Sequence, residues 1–318
     1  MQHRREIAIA ATIVALGIVV AFVAPAFFTL ANLRDVFMAD VPVLVAALGM
    51  TLIILTAQID ISIGSQFAIC GVAAGLVAKS GLSLPVVILA VLLIGAALGA
   101  INGALVAWIR IPSIVVTLAT MVALRDALRW VTEGAWVQDL PRNFQWFGLT
   151  LGAFEVVTVG IAAVLFAGAS WALRNAAMAR TIYAVGSNEG AARLMGIDAA
   201  FVTFCVFTVA GALTGFAATL NSARFNQIPS NTGLGMELKV IAAVVVGGAS
   251  IRGGRGTVVG TLFGVILLGA IGPALTFVGV SAYWEKAIQG AIILTAVAAE
   301  AWPARIRKSG GRLGHSPA

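Results

Sequence analysis

The sequence predicts an all-α integral membrane protein, a polytopic bundle of about ten transmembrane helices. Of its 318 residues, 60% are apolar and 10% are charged, whereas soluble domains average about 45–50% apolar and about 25% charged residues. Several of its uncharged runs reach the roughly 20 residues that are needed to cross about 30 Å of hydrocarbon. A water-soluble fold of this length could not bury so much apolar surface, so a bilayer is the expected solvent.

Seven long uncharged runs and three weaker ones give the predicted count of ten spans. The long runs are Ile7–Phe28, Val41–Ala57, Ile61–Ala78, Leu82–Ile109, Val156–Leu173, Ala199–Leu220 and Thr257–Trp284. The weaker runs are Ile111–Leu124, Val240–Ile251 and Ala287–Ala299, the last extending to Trp302. An alternative with eight spans treats the first two weaker runs as re-entrant segments.

The distribution of basic residues predicts that both termini are cytoplasmic, because loops rich in Lys and Arg stay on that side. The loop 174–198 carries three arginines and the C-terminal tail 303–318 is basic. Ten spans place both inside with the N-terminal tail 1–6, whereas eight spans place the loop outside, so ten is preferred. Residues 7–302 then form the transmembrane domain. The net charge of +7 is interpreted as contact with anionic membrane lipid, not with nucleic acid.

Glycines spaced four residues apart indicate that the helices pack closely. They form the sets Gly95, Gly99 and Gly103; Gly211 and Gly215; and Gly260 and Gly264. Small residues at this spacing share one helix face and let two backbones approach. Tight packing is the interpretation for most of them, and a pore-lining helix that moves is the alternative. Two inverted five-helix halves with a solute site between them are a further hypothesis.

Catalysis is poorly supported by the residue types present. Both histidines, His3 and His315, lie in the tails, so a His-based triad or a helical zinc site cannot be built in the membrane. The sequence contains no G-x-x-x-x-G-K-[ST] run for a P-loop. Cys70 and Cys205 have no metal-ligand spacing. We expect a transport subunit with no catalytic, metal or cofactor site of its own, driven by another subunit or by an ion gradient.

Coupling to an ion gradient usually needs ionisable groups at membrane depth, and the predicted spans are nearly free of charge. Asp60, between two apolar runs, is the nearest candidate. It is interpreted either as a cap for the following helix or as a residue at a helix break that faces a polar solute. Polar residues near span ends complete a candidate substrate path, although each also fits a capping or helix-contact role: Gln58, Asn102, Asn221 and Asn231.

The loop 174–198 contains a predicted short helix. Ser187 or Asn188 can cap it, with Glu189 in its first turn and Gly196 near its end. Its apolar side consists of Ala191, Ala192, Leu194 and Met195. Such an amphipathic helix is either an ordinary surface helix or a docking element for a partner.

Several stretches together resemble the ribose/xylose/rhamnose-type permease family of ABC importers. They are Gly49-Met50-Thr51-Leu52, the segment Gln58–Ser65, Asn102-Gly103 through Ile111-Pro112-Ser113, Thr117–Met121, the loop Gly186–Gly196, Glu237–Ser250 and Gly253–Thr257. The family typically has Gly-Gly-Ile-Asp where this chain has Ala57-Gln58-Ile59-Asp60.

The resemblance implies a permease subunit of the bacterial inner membrane that translocates a monosaccharide. It implies three partners: a cytoplasmic ABC ATPase subunit, a periplasmic sugar-binding protein, and a second permease copy or paralogue that completes a dimer. It also implies that Glu189, Ala191, Ala192 and Gly196 belong to the loop that engages the ATPase. Branched-chain amino-acid permeases are distant relatives, so amino acids stay an alternative substrate class. A gradient-driven secondary transporter of a small polar solute is the other alternative.

Overall fold

In the computed structural model, residues 2–281, 283–292 and 294–295 are described, and they form a helical bundle. The α-helices are α1 Gln2–Val23, α2 Leu30–Leu55, α3 Ile63–Lys79, α4 Leu84–Ala107, α5 Ser113–Thr132, α6 Leu151–Asn175, α7 Ala177–Ser187, α8 Glu189–Leu194, α9 Ala199–Ser222, α10 Met236–Val246 and α11 Val258–Phe277. Short 3-10 helices cover Pro25–Phe28 and Gln145–Gly148, and residues 284–292 are helical. The predicted tail 303–318 and the end of the last predicted span lie outside the described residues.

Six of these helices, α1, α2, α4, α6, α9 and α11, are long and apolar enough to cross a membrane. The apolar helix α3 is shorter, with 17 residues, and α5 has 20 residues but carries several charges. The 11 residues of α10 extend only about 16 Å at about 1.5 Å per residue. The predicted all-α membrane bundle is therefore confirmed, while the count of ten spans stays a prediction.

The first two helices differ from the uncharged runs that predicted them. Helix α1 begins at Gln2, so the predicted tail 1–6 is continuous with it, and it ends at Val23. Pro25 follows, and the residue before a proline disfavours the helical conformation. Helix α2 begins at Leu30, well before the predicted start at Val41, which places Asp40 inside a helix.

Helix α9 lies at the centre of the bundle, against α2, α3 and α4. A Cβ added to Gly95 would overlap the carbonyl oxygen of Gly211, and one added to Gly99 would overlap that of Phe207. At the neighbouring residue of α9, a Cβ on Gly49 of α2 would lie 2.8 Å from the Cα of Ala210. The interpretation of these glycines as sites of close helix packing is confirmed.

Helices α3 and α10 both begin inside the bundle, with their N-termini close together. The linker 223–235 runs inward along α3. A Cβ added to Gly75 or Gly71 would meet the side chains of Ile228 and Thr232, and one added to Gly64 would overlap the carbonyl oxygen of Gly233. These glycines leave room for the linker. Because α3 and α10 are the third and eighth of the ten predicted segments, their juxtaposition is what two inverted five-helix halves would produce.

Candidate functional site

Four buried polar side chains form a closed network where the linker 56–62 enters α3. One carboxylate oxygen of Asp60 accepts hydrogen bonds from the backbone N–H of Ser62 at 2.8 Å and from its hydroxyl at 2.6 Å. The Nε2 of Gln66 donates to the other Asp60 oxygen at 3.0 Å and to Ser62 Oγ at 2.8 Å. The Nδ2 of Asn102 also donates to Ser62 Oγ, at 2.8 Å. All four residues are buried.

This network fixes the break between α2 and α3. Ser62, not Asp60, occupies the N-cap position of α3, and Asp60 holds the Ser62 backbone in place. The linker is also tied to α5, because the hydroxyl of Ser113 accepts a hydrogen bond from the N–H of Ile59 at 3.2 Å. The predicted path residues Asp60 and Asn102 therefore lie together, in packed protein. Gln66 was missed, although Ser62 and Gln66 stand four residues apart on one helix face.

A cavity of about 520 Å³ lies on one side of this network, between α2, α3, the linker 223–235 and residues 281–289. We call it the far vestibule, because it lies away from α7 and α8. Its wall includes Phe67, Asn221, Lys239, Tyr283, Glu285 and Gln289. Asn221 is the one predicted path residue on this wall.

Paired charges lie at the far vestibule, inside the helical bundle. Lys239 donates a hydrogen bond to Asp40 at 2.9 Å, and the Asp40 carboxylate fits against Gly269, where a Cβ would overlap it. The carboxylate of Glu285 fits in the same way against Gly272. The predicted spans did not include this pair, because the uncharged runs begin at Val41 and Val240, one residue after Asp40 and Lys239. Helices α2 and α10 both continue across those charges.

A second cavity, of about 420 Å³, opens at the end of the bundle that carries α7 and α8. We call it the near vestibule. Its wall includes Gln58, Arg110, Pro112, Glu189, Arg193 and Thr203, so helix α8 forms one side of it. Gln58 is the predicted path residue found here, whereas Asn231 is exposed and lines neither vestibule.

One short stretch of chain connects the two vestibules. Gln58 lines the near vestibule and Phe67 lines the far one. Between them, Asp60, Ser62 and Gln66 form the buried network. A solute that moved from one vestibule to the other along this stretch would have to displace the network, so in this conformation the two cavities are separated.

The loop between α6 and α9 folds as the predicted short helix with its cap. The Asn188 side chain accepts a hydrogen bond from the N–H of Ala191 at 3.0 Å, and Glu189 forms an ion pair with Arg193 one turn later. Gly196 ends the segment with a φ of +79°, a conformation that glycine adopts without penalty.

The two faces of α8 differ sharply in exposure. The side of Ala192 is buried, at 1% exposure, and faces the bundle. Leu194 and Met195, by contrast, are 92% and 69% exposed. Large apolar side chains so exposed, next to a polar loop, are typical of a contact surface for another protein.

The loop is attached firmly to the core through α7. Gly186 lies against the carbonyl oxygen of Leu55, the last residue of α2, and this oxygen also accepts the N–H of Gly254 at 2.9 Å. The hydroxyl of Tyr183 donates to the carbonyl oxygen of Gly256 at 2.9 Å. Burial raises the pKa of Tyr183 above its ordinary value, so the hydroxyl keeps the proton that it donates.

The chain is similar in sequence to known permease proteins along most of its length. The family described as "Branched-chain amino acid transport system / permease component" matches residues 32–297. The chain is 36% identical over 293 residues to the ribose import permease protein RbsC of Escherichia coli (strain K12), covering 90% of this chain and 91% of that protein.

Two further relatives are named for another solute. The chain is 33% identical over 295 residues to the autoinducer 2 import system permease protein LsrC of Escherichia coli O9:H4 (strain HS), covering 92% of this chain and 86% of that protein. The LsrC protein of Photorhabdus luminescens is 33% identical over 295 residues, covering 92% of this chain and 89% of that protein. No solved structure matches the chain. The resemblance inferred from the sequence is confirmed at the level of the family.

Proposed function

Because the chain belongs to the family of branched-chain amino-acid-type permease components, we propose that it is the permease subunit of an ABC importer for a monosaccharide. The observation that carries the proposal is the 36% identity to a ribose import permease along nine-tenths of both chains. The related LsrC proteins import autoinducer 2, so the family accepts more than one small polar solute. A neutral sugar is the substrate class that we propose here.

The energy for transport is proposed to come from a cytoplasmic ABC ATPase subunit that docks on α8. Leu194 and Met195 offer it an exposed apolar contact, and the pair Glu189–Arg193 lies beside them. Ala191 and Gly196 belong to the same surface, and the buried Ala192 holds it against the bundle. Because α8 is also a wall of the near vestibule, a movement of the ATPase would change the shape of that cavity.

Three features of the assembly follow from this proposal. The arginine-rich α7–α8 end faces the cytoplasm, by the positive-inside rule, with both termini on that side. A periplasmic sugar-binding protein delivers solute to the far vestibule. A second permease copy or a paralogue completes the dimer.

The Asp40–Lys239 pair gives little support to the alternative of a gradient-driven secondary transporter. Each of these charges is compensated by the other at 2.9 Å, and a carboxylate that must bind a coupling ion would have to lose its partner first. Family membership also favours an ATP-driven system. Branched-chain amino acids remain an alternative substrate class, because the family is described by them, and L-leucine is therefore included in the uptake experiment.

Uptake by the reconstituted importer tests the proposal. The chain is placed in proteoliposomes with the ATPase and binding protein proposed as its partners. Uptake of labelled D-ribose, D-xylose, L-rhamnose and L-leucine is then measured with ATP and with a non-hydrolysable analogue. We expect one neutral sugar to accumulate only when ATP is hydrolysed. Accumulation of L-leucine alone, or sugar uptake driven by a proton gradient without ATP, would overturn the proposal.

A further inference from the structure

We infer that the far vestibule is a recognition site within the permease itself for a neutral, polyhydroxylated solute. The inference rests on the proposed function and deepens it, since solute choice is then made in the membrane as well as by the binding protein. Its volume of about 520 Å³ lies within the range of roughly 300–1,000 Å³ that small-molecule sites occupy.

The neutral polar groups on the wall match the hydrogen-bonding needs of a sugar. Asn221 and Gln289 present side-chain amides, and Ser281 and Tyr283 present hydroxyls. Amides and hydroxyls both donate and accept hydrogen bonds, as sugar hydroxyls do. They can therefore replace water around a polyol whichever way each of its hydroxyls points.

The charged groups on or beside the wall favour a solute without net charge. Asp40 is paired with Lys239 at 2.9 Å, and Glu285 accepts a hydrogen bond from Gln289 at 2.9 Å. Lys286 also lines the wall, and Glu237 and Arg125 bond the floor residues Gly235 and Thr232. The three acidic and three basic groups on or beside the wall therefore sum to no net charge. A sugar phosphate would add its negative charge to a partly desolvated site whose charges already balance.

Two aromatic rings and a glycine-containing floor complete the site. Both aromatic side chains line the cavity, with Tyr283 92% exposed at its rim and Phe67, 3% exposed, packed into its inner wall. The floor consists of residues 232–235 of the linker and Met236, the first residue of α10, and Gly233 and Gly235 have φ values of +73° and +85°. Phe67 follows Gln66 of the buried network, so a solute resting on this floor would lie directly above the barrier between the vestibules.

Protection of an introduced cysteine tests the site without relying on transport. The permease–ATPase complex in lipid nanodiscs carries either Ser281→Cys, on the vestibule wall, or Ser80→Cys, an exposed serine after α3 that lines neither vestibule. The unsubstituted chain gives the background of Cys70 and Cys205. Maleimide labelling is timed with millimolar D-ribose, D-xylose or L-rhamnose, and with D-ribose 5-phosphate.

We expect one neutral sugar to slow labelling of Ser281→Cys at least threefold and leave Ser80→Cys unchanged, with no protection by the phosphate. Adding Ala39→Trp, which fills the vestibule, should abolish the protection, whereas Ala167→Trp on the exposed side of α6 should preserve it. ATP-driven uptake is measured with the same preparations. Uptake of a sugar that gives no protection overturns this inference and leaves the proposed function standing. Failure to take up any sugar overturns both.

Discussion

The ammonium group of Lys239 lies 2.9 Å from a carboxylate oxygen of Asp40, and this ion pair joins the short helix α10 to the long helix α2 inside the bundle. The Asp40 and Lys239 side chains are only 12% and 21% exposed. The Asp40 carboxylate rests where a Cβ on Gly269 of α11 would overlap it. Three helices therefore meet at one buried charge pair on the wall of the far vestibule.

Lys239→Met should destabilise the protein strongly, because it leaves the Asp40 carboxylate buried without its partner. Removing one member of a fully buried ion pair costs about 3–5 kcal/mol, and the cost here should be smaller because the two side chains are 12% and 21% exposed. Thermal unfolding of the purified protein in detergent would show this as a marked fall in the transition temperature.

The double variant Asp40→Leu, Lys239→Met is the matched control. Replacing both charges by apolar residues is often neutral, so most of the lost stability should return. If Lys239→Met alone unfolds at the wild-type temperature, the pair does not hold α10 to α2.

The Asp40–Lys239 ion pair was not predicted from the sequence. Hydropathy predicted the long helices because apolar length is a local property. The four-residue glycine spacing predicted close packing for the same reason, although it did not indicate that α4 packs on α9. Asp40 and Lys239 were missed because a run defined by freedom from charge must stop at a charge, even when the helix continues. Their neutralisation depends on a partner 199 positions away, which one sequence does not reveal. Gln66 is a different case, because its partners Asp60 and Ser62 are only six and four residues away, but hydrogen bonds between side chains are not visible in a hydropathy pattern.

Gly99→Leu should disrupt the central packing of α4 on α9. A side chain at this position would overlap the carbonyl oxygen of Phe207, and backbone cannot move away as a flexible side chain can. Overpacking costs typically about 1–3 kcal/mol, and a backbone contact belongs at the upper end. The measurement is the thermal unfolding temperature together with the yield of folded protein from membranes.

Gly168→Leu provides the comparison for this prediction. Gly168 is exposed on α6, and a Cβ there meets no atom within 4 Å. Stability should change little or rise slightly, because leucine favours a helix more than glycine does. Equal losses in the two variants would mean that the close approach of α4 and α9 does not limit stability.

Gly186→Ala should weaken the connection between α7 and the end of α2. Its Cβ would overlap the carbonyl oxygen of Leu55, the oxygen that also accepts the N–H of Gly254. If movement of α8 reaches the core by this route, sugar uptake per ATP hydrolysed should fall at least tenfold while ATP hydrolysis continues. The coupling is measured in proteoliposomes as the ratio of sugar taken up to ATP hydrolysed.

The neighbouring Gly190→Ala separates this effect from a general disturbance of the loop. A Cβ on Gly190 would lie 3.4 Å from the Asn188 side chain, which is ordinary contact, and alanine is the better helix former. Its uptake ratio should match the wild type. A normal ratio in Gly186→Ala would show that the α7–α2 contact does not transmit the ATPase movement.

Ala57→Gly should stabilise the protein, which is unusual for removing a side chain. Ala57 has a φ of +61°, and this left-handed conformation costs an L-residue about 1–2 kcal/mol. Glycine avoids that penalty but makes the unfolded chain more flexible, at about 0.4–1 kcal/mol. The difference favours glycine by up to about 1.6 kcal/mol, seen as a higher unfolding temperature.

The same substitution in a helix should have the opposite sign. Ala167 is exposed in the interior of α6, where glycine is less favourable than alanine by about 1 kcal/mol, so Ala167→Gly should unfold at a lower temperature. Opposite signs for one chemical change would show that backbone conformation decides the effect. A loss of stability in Ala57→Gly would mean that contacts of the Ala57 methyl group, which lies beside Gly253, outweigh the strain at this turn.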